Sequence, residues 1–195
     1  MFAFYKSALS GEYSSPLCAD YKSEWRKCGD DKEKLIRLSL KQQSIPFVVT
    51  HAFHNKGLTK DYVKEFFGDY VKGKKLMDCD GVDGYSYSLY ADWDYANDLV
   101  VETDVCSIMW TVGASVIVQK TKCPVIYVSN RSDVHLVCEG YNNVMVYLFD
   151  KSKVTIEDAD SDTSIIVYKY SDDASVETGK YCLGKVKQFN KELRL

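Results

Sequence analysis

The chain has 195 residues, 46% hydrophobic and 27% charged, with a formal net charge of −3. These values exclude a disordered chain, and the length suits one compact domain or a small domain with an extension. Charge is uneven: residues 1–75 carry 14 Lys/Arg against 9 Asp/Glu, net +5, whereas residues 76–195 carry 11 against 19, net −8. Two solvated surfaces account for such a split; a basic docking region on an acidic body is the sharper alternative.

The opening "MFAFYKSALSGEY" lacks a long apolar core behind a basic segment, so it does not read as a signal peptide. No run is long enough to span a membrane. The seven cysteines, Cys18, Cys28, Cys79, Cys106, Cys123, Cys138 and Cys182, are odd in number and form no CxxC pair. That disfavours a zinc knuckle or redox motif and fits reduced, buried thiols of a cytoplasmic protein.

Residues 1–75 are expected to form a helical region. "SSPLCADYKSEWRKCGD" offers a Ser cap, Pro16 in a first turn and Gly29 after a basic end. "DDKEKLIRLSLKQQ" opens with acids, supplies Leu35, Ile36, Leu38 and Leu40, and precedes a break at Pro46. "LTKDYVKEFFGDYVKG" has Thr59 as cap, Tyr62, Val63, Phe66, Phe67 and Tyr70 at helical spacing, and Gly73 as terminator. None is long or basic enough for a nucleic-acid recognition helix. Residues 76–112, rich in Asp, Gly and Tyr, read as connecting loops and a hairpin, with "YSYSLY" alternating like a strand.

From Gly113 the chain repeats. Branched aliphatics recur at Val116, Val125, Val134, Val144, Val154, Ile165 and Val176, spaced 9 to 11 residues apart. Two residues before each stands a small or compact residue: Ala114, Cys123, Ser132, Asn142, Ser152, Thr163, Ala174. Two residues after come Val118, Tyr127, Leu136, Val146, Ile156, Val167 and Thr178, while the residue between varies. In a strand the anchor and the residue two later share a face, so each unit has one fixed and one free face. Small residues ahead of the anchor allow a tight corner.

The predicted architecture is α+β. A helical region precedes a β-solenoid of about seven 9–11-residue strand–turn units over residues 113–180. Residues 181–195 form a cap or tail through Val186, Phe189 and Leu193. Ten residues are too few for a whole coil, so each unit is one side of one. The alternative is an antiparallel β-sandwich or meander, whose hairpins give similar spacing but do not require like corners.

Sites of chemistry are sparse. "DCDGVDG" places Asp78, Asp80 and Asp83 in a Gly-containing loop, a weak Ca²⁺ candidate whose third acid is one place late for an EF-hand. His51 and His54 lack a completing Glu or Cys, and read as packing or surface residues. His135 and Cys138 are three apart in a predicted strand, hence on opposite faces and disfavoured as a catalytic pair. Glu157, Asp158, Asp160 and Asp162 fall in a corner between units and read as solvated turn residues. Tyr141, Tyr147, Phe149, Tyr168 and Tyr170 cluster in the repeat, either as stacks between rungs or as an outward binding strip. These aromatics and the four corner acids are the candidate binding surface. No catalytic motif or cofactor fingerprint is present.

The phrases "SIPFVVTHAFHNKGLTKDYV", "DCDGVDGYSY", "SIMWTVGA", "CPVIYVSNRSDVHLVCEGYNNV" and "GKYCLGKVKQFNKELRL" carry a family likeness. From about residue 30 the chain resembles short, uncharacterised phage and prophage proteins of gut Bacteroidales, with helical beginnings and solenoid-like tails. The resemblance implies a mobile-element protein made in a bacterial cytoplasm, with incorporation into the virion as an option, and supplies no activity or catalytic residue. The leading expectation is a non-enzymatic structural or accessory protein binding protein partners, or itself, through solenoid ends. One alternative is an inhibitor meeting a basic host-defence protein through its acidic surface. Another is a carbohydrate-binding or polysaccharide-cleaving β-helix module.

Overall fold

The computed structural model describes residues 19–31, 34, 38, 76–80, 86–91, 98–119, 124–140, 143–159, 162–182 and 185–191. The chain divides into two compact units, Met1–Tyr70 with Arg194–Leu195, and Val71–Leu193.

In the first unit helix α1 spans Ala19–Cys28, with Arg26 and Lys27 in its last turn, where cations suit the helix dipole. Gly29 ends it at φ 55°, a left-handed C′ position that glycine takes without a steric penalty. Asp31 Oδ1 accepts the Lys34 N–H at 3.1 Å, at the start of the segment expected to open a helix with acids. Trp25 and Leu38 are buried. The third predicted helix, His51 and His54 lie outside the described residues.

The second unit is a β-solenoid. A seven-stranded sheet has the order β1-β2-β4-β6-β8-β10-β12, and a five-stranded sheet the order β11-β9-β7-β5-β3. The strands are β1 (Leu76–Asp80), β2 (Ser86–Ala91), β3 (Leu99–Val101), β4 (Val105–Met109), β5 (Val112–Val118) and β6 (Val125–Ser129). They continue with β7 (Asp133–Cys138), β8 (Asn143–Leu148), β9 (Lys153–Ala159), β10 (Ser164–Lys169), β11 (Ser175–Thr178) and β12 (Val186–Asn190). From β2 onward the chain alternates between sheets; among the described residues every pairing there is parallel, and the β1–β2 hairpin alone is antiparallel. One coil is thus two strands, and β2–β11 make five stacked coils, with β12 adding a final strand to the larger sheet. Val134 pairs with Val154 and Val144 with Ile165, a repeat near twenty residues, as expected if a ten-residue unit is one side.

Inward side chains form one core from both sheets. In the larger sheet Cys106, Ile126, Val146 and Val167 stack in register, beside Ile108, Val128 and Leu148. In the smaller, Ala114, Val134, Val154 and Val176 stack beside Leu99, Val116, Leu136 and Ile156. Burying each Val, Ile or Leu contributes roughly 1.5–3 kcal/mol. After β11 a 3₁₀-helix, Lys180–Cys182, brings Cys182 into this core with its Sγ 3.6 Å from the Ile156 carbonyl oxygen.

Two anchors are corrected. Val116 pairs with Leu136, and the smaller Ala114 occupies the position of Val134, just after a bulge at Gly113 (φ 78°). Val125 pairs with Met145, not Val144; the residue level with Val144 is Pro124, whose carbonyl accepts the Met145 N–H at 3.0 Å. A slip of one residue exchanges faces, so Tyr127 points outward and Ile126 and Val128 inward. The coil also begins upstream of Gly113. Residues 76–112 hold the β1–β2 hairpin, and β2, β3 and β4 are already coil strands. Compact residues stand buried at the corners before β4 and β5, Thr103 and Thr111, so the repeat extends upstream of the first anchor. Residues 186–190, predicted as cap or tail, form the last rung.

The corners leading from the larger sheet to the smaller are tight turns closed by Ser132 N–H to Ser129 O, Ser152 N–H to Phe149 O and Ala174 N–H to Ser171 O, each at 3.2 Å. Ser132, Ser152 and Ala174, three of the predicted small residues, are buried there, as is Thr111. Asn130 and Arg131 (φ 58° each) and Asp150 (φ 47°) adopt the left-handed region.

Candidate functional site

Registration places aromatic residues above one another on the outer face of the larger sheet. Tyr127, Tyr147, Tyr168 and Phe189 are successive paired positions of β6, β8, β10 and β12. Their centroids lie 4.9, 5.1 and 5.7 Å apart, with interplanar angles of 20°, 31° and 27°. The residues two further along form a second column, in which Phe149 stacks on Tyr170 at 5.0 Å and 6°. Lys191 follows in that column and lies 5.4 Å from the Tyr168 centroid, within cation–π range. Burial pushes the Tyr170 hydroxyl above its ordinary value of 10.0, and the nearby Tyr168 hydroxyl adds to the shift.

Exposure rises along the ladder. Tyr127 is 3% exposed, Tyr147 and Tyr168 are half-buried, and Phe189 is 46% exposed. Because the rings cover one another, they offer solvent edges and hydroxyls rather than faces. A sugar ring packs on a face, so the ladder is poorly suited to carbohydrate except at its terminal ring, Phe189. Tyr147, Phe149, Tyr168 and Tyr170 of the predicted surface are brought together here, and Tyr141 lies outside the described residues.

Glu157 lies elsewhere. It is the extra residue of a bulge in β9, since Leu136 pairs with Ile156 and Val137 with Asp158. It points outward from the smaller sheet, and its Oε1 is 2.6 Å from His135 Nδ1 on β7. Cys138 is buried on the opposite face of β7, as the spacing predicted. Asp162 is an exposed turn residue before β10, Asp158 is on β9, and Asp160 lies outside the described residues. Glu157, expected in a corner, is thus on the outer face of the smaller sheet and shares no site with the aromatic group of the larger sheet.

The smaller sheet's outer face alternates in charge across rungs. Lys153 Nζ lies 3.0 Å from Glu177 Oε1, and Lys151 lies 3.9 Å from Asp173. The hydrogen bond to Glu177 raises the Lys153 pKa above 10.5, outweighing desolvation, with Asp133 adding attraction. Asp78 and Asp80 stand on strand β1 rather than in a loop, and Asp83 lies outside the described residues. Among the described residues no three His, Cys, Asp or Glu side chains converge as a metal-holding group. No helix among them is long and apolar enough to cross a membrane.

Sequence reasoning missed Tyr127, through the one-residue slip, and Phe189, which was assigned to a cap. The signal was available: Tyr127, Tyr147, Tyr168 and Phe189 are spaced 20, 21 and 21 residues apart. No protein-family model matches the chain, and neither the curated proteins nor the solved structures contain a match.

Proposed function

We propose that the protein is a non-enzymatic interaction scaffold, a structural or accessory protein of a phage or prophage, whose rigid coil presents its surface and end to protein partners. The observation that carries this reading is the outward aromatic ladder running without a break to exposed Phe189 on the terminal strand. Stacked backbone hydrogen bonds and ring columns make a stiff body, and a solenoid whose last rung has no strand partner on its outer edge among the described residues invites assembly. The phage setting rests on the sequence resemblance alone. Mass spectrometry of virions purified from the source element tests it. Stoichiometric recovery of the chain with the particle is expected; absence would overturn the reading in favour of an inhibitor acting through the acidic body.

A further inference from the structure

The last coil ends in two strands, β12 of the larger sheet and β11 of the smaller, each terminal in its strand order. Among the described residues nothing pairs with their outer edges. The two edges differ in charge. On β12 and just beyond it, Lys187 and Lys191 alternate with Phe189 at outward positions and are exposed. On β11 and its preceding corner the exposed charges are Asp172, Asp173 and Glu177. Asp173 and Glu177 already meet Lys151 and Lys153 of the preceding rung, so the charge alternation of that sheet stops on an acid at the edge. The next member of the series would be a cation.

Because the chain reverses at every corner, strands of the two sheets run in opposite directions. Two coils meeting end to end about a twofold axis can therefore pair antiparallel in two ways. One lays β12 on the β12 of a second copy, setting lysine against lysine. The other lays β12 on the β11 of the second copy and β11 on its β12, setting Lys187 and Lys191 against Glu177 and Asp173 twice over. Lysines on an edge strand oppose strand addition by a like edge. Here they oppose the first pairing and favour the second.

We propose that the protein forms a head-to-head dimer in which β12 of each copy pairs with β11 of the other, joining two solenoids into one continuous pair of sheets. This rests on the scaffold reading and names its partner, a second copy of this chain. An isologous contact closes on itself, so the assembly stops at two and leaves both distal ends pointing outward.

The test is sedimentation of the full chain and of two charge-reversed variants, with circular dichroism to confirm folding. Wild type is expected to dimerise reversibly and more weakly at high salt. Lys187→Glu/Lys191→Glu makes both edges acidic, and Asp173→Lys/Glu177→Lys makes both basic; each alone is expected to be monomeric. Mixed, they are expected to form a heterodimer, which misfolded variants would not do. A monomeric wild type, homodimers of either variant, or a heterodimer between Lys187→Glu/Lys191→Glu and wild type as strong as that between the two variants would overturn the pairing. A monomer found in virions sinks this inference while sparing the scaffold; a dimer absent from virions does the reverse.

Discussion

Asp150 stands at a corner with φ 47°, and its carboxylate accepts the N–H of Asn130 and of Arg131 from the rung before, the latter at 3.0 Å. Ser152 Oγ donates to it at 3.1 Å. Left-handed backbone at a non-glycine residue costs roughly 1–2 kcal/mol. One carboxylate thus compensates two strained N–H groups that face the turn. Asp150→Ala removes those acceptors and is expected to lower stability by about 2 kcal/mol, since hydrogen bonds to charged groups contribute roughly 1.5–3 kcal/mol. Asp150→Asn retains an acceptor oxygen and tolerance of the left-handed region, so it is expected to lose about half as much. Urea melts of the two variants check this, and a larger loss for asparagine would contradict the role. The small residues of these corners were legible in the sequence because size alone decides who fits there. The Asp150 bridge was not, because it joins residues about twenty apart that only stacking makes neighbours.

At the scale of strands, the sequence identified units correctly wherever a bulky branched residue occupies the first inward position. Val134, Val154 and Val176 share a column, as do Val144 and Ile165. It failed where a smaller or cyclic residue does the same work, as at Ala114 and Pro124. Pattern recognition sought an aliphatic and moved to Val116 or Val125 instead. The aromatic ladder was half legible for the same reason: its members were noticed, but the slip at β6 turned Tyr127 inward. Register has a sharp consequence for substitution. Val144 is 1% exposed and belongs to the core, whereas Met145 next to it faces outward and is only half-buried. Val144→Asp places an unpaired charge inside the coil and is expected to cost about 3–5 kcal/mol. Met145→Asp is expected to cost about 1 kcal/mol or less, through lost outer-face packing. Equal thermal midpoints for the two would refute the register.

Across the whole coil, both outer faces hold groups that bind their protons more tightly folded than unfolded. Lys153 does so through Glu177, and Tyr170 through burial. As pH rises past about 10 the unfolded chain releases these protons first. The stability they contribute is complete below that point and is lost as pH climbs through the raised values. Thermal melts are therefore expected to fall from about pH 10 upward, and the combined Lys153→Met and Tyr170→Phe variant to fall less steeply. An unchanged slope would exclude both groups. The coil's stacking also explains why its limits were hard to read. Each rung depends only on its neighbours, so the first coils can vary their corner residues and still stack.

Gly179, just past β11, shows how such an end can be released. Its N–H bonds the Ile156 carbonyl at 2.8 Å, and a Cβ there would stand 2.6 Å from the carbonyl oxygen of bulged Glu157. That oxygen is backbone and cannot swing aside. A single methyl group would act as a wedge between the bulge and the 3₁₀-helix that carries Cys182, prising the last turn off its support while the earlier rungs stayed closed. The final turn is thus latched by the absence of an atom, and its hold on the coil can be loosened without touching a hydrophobic residue.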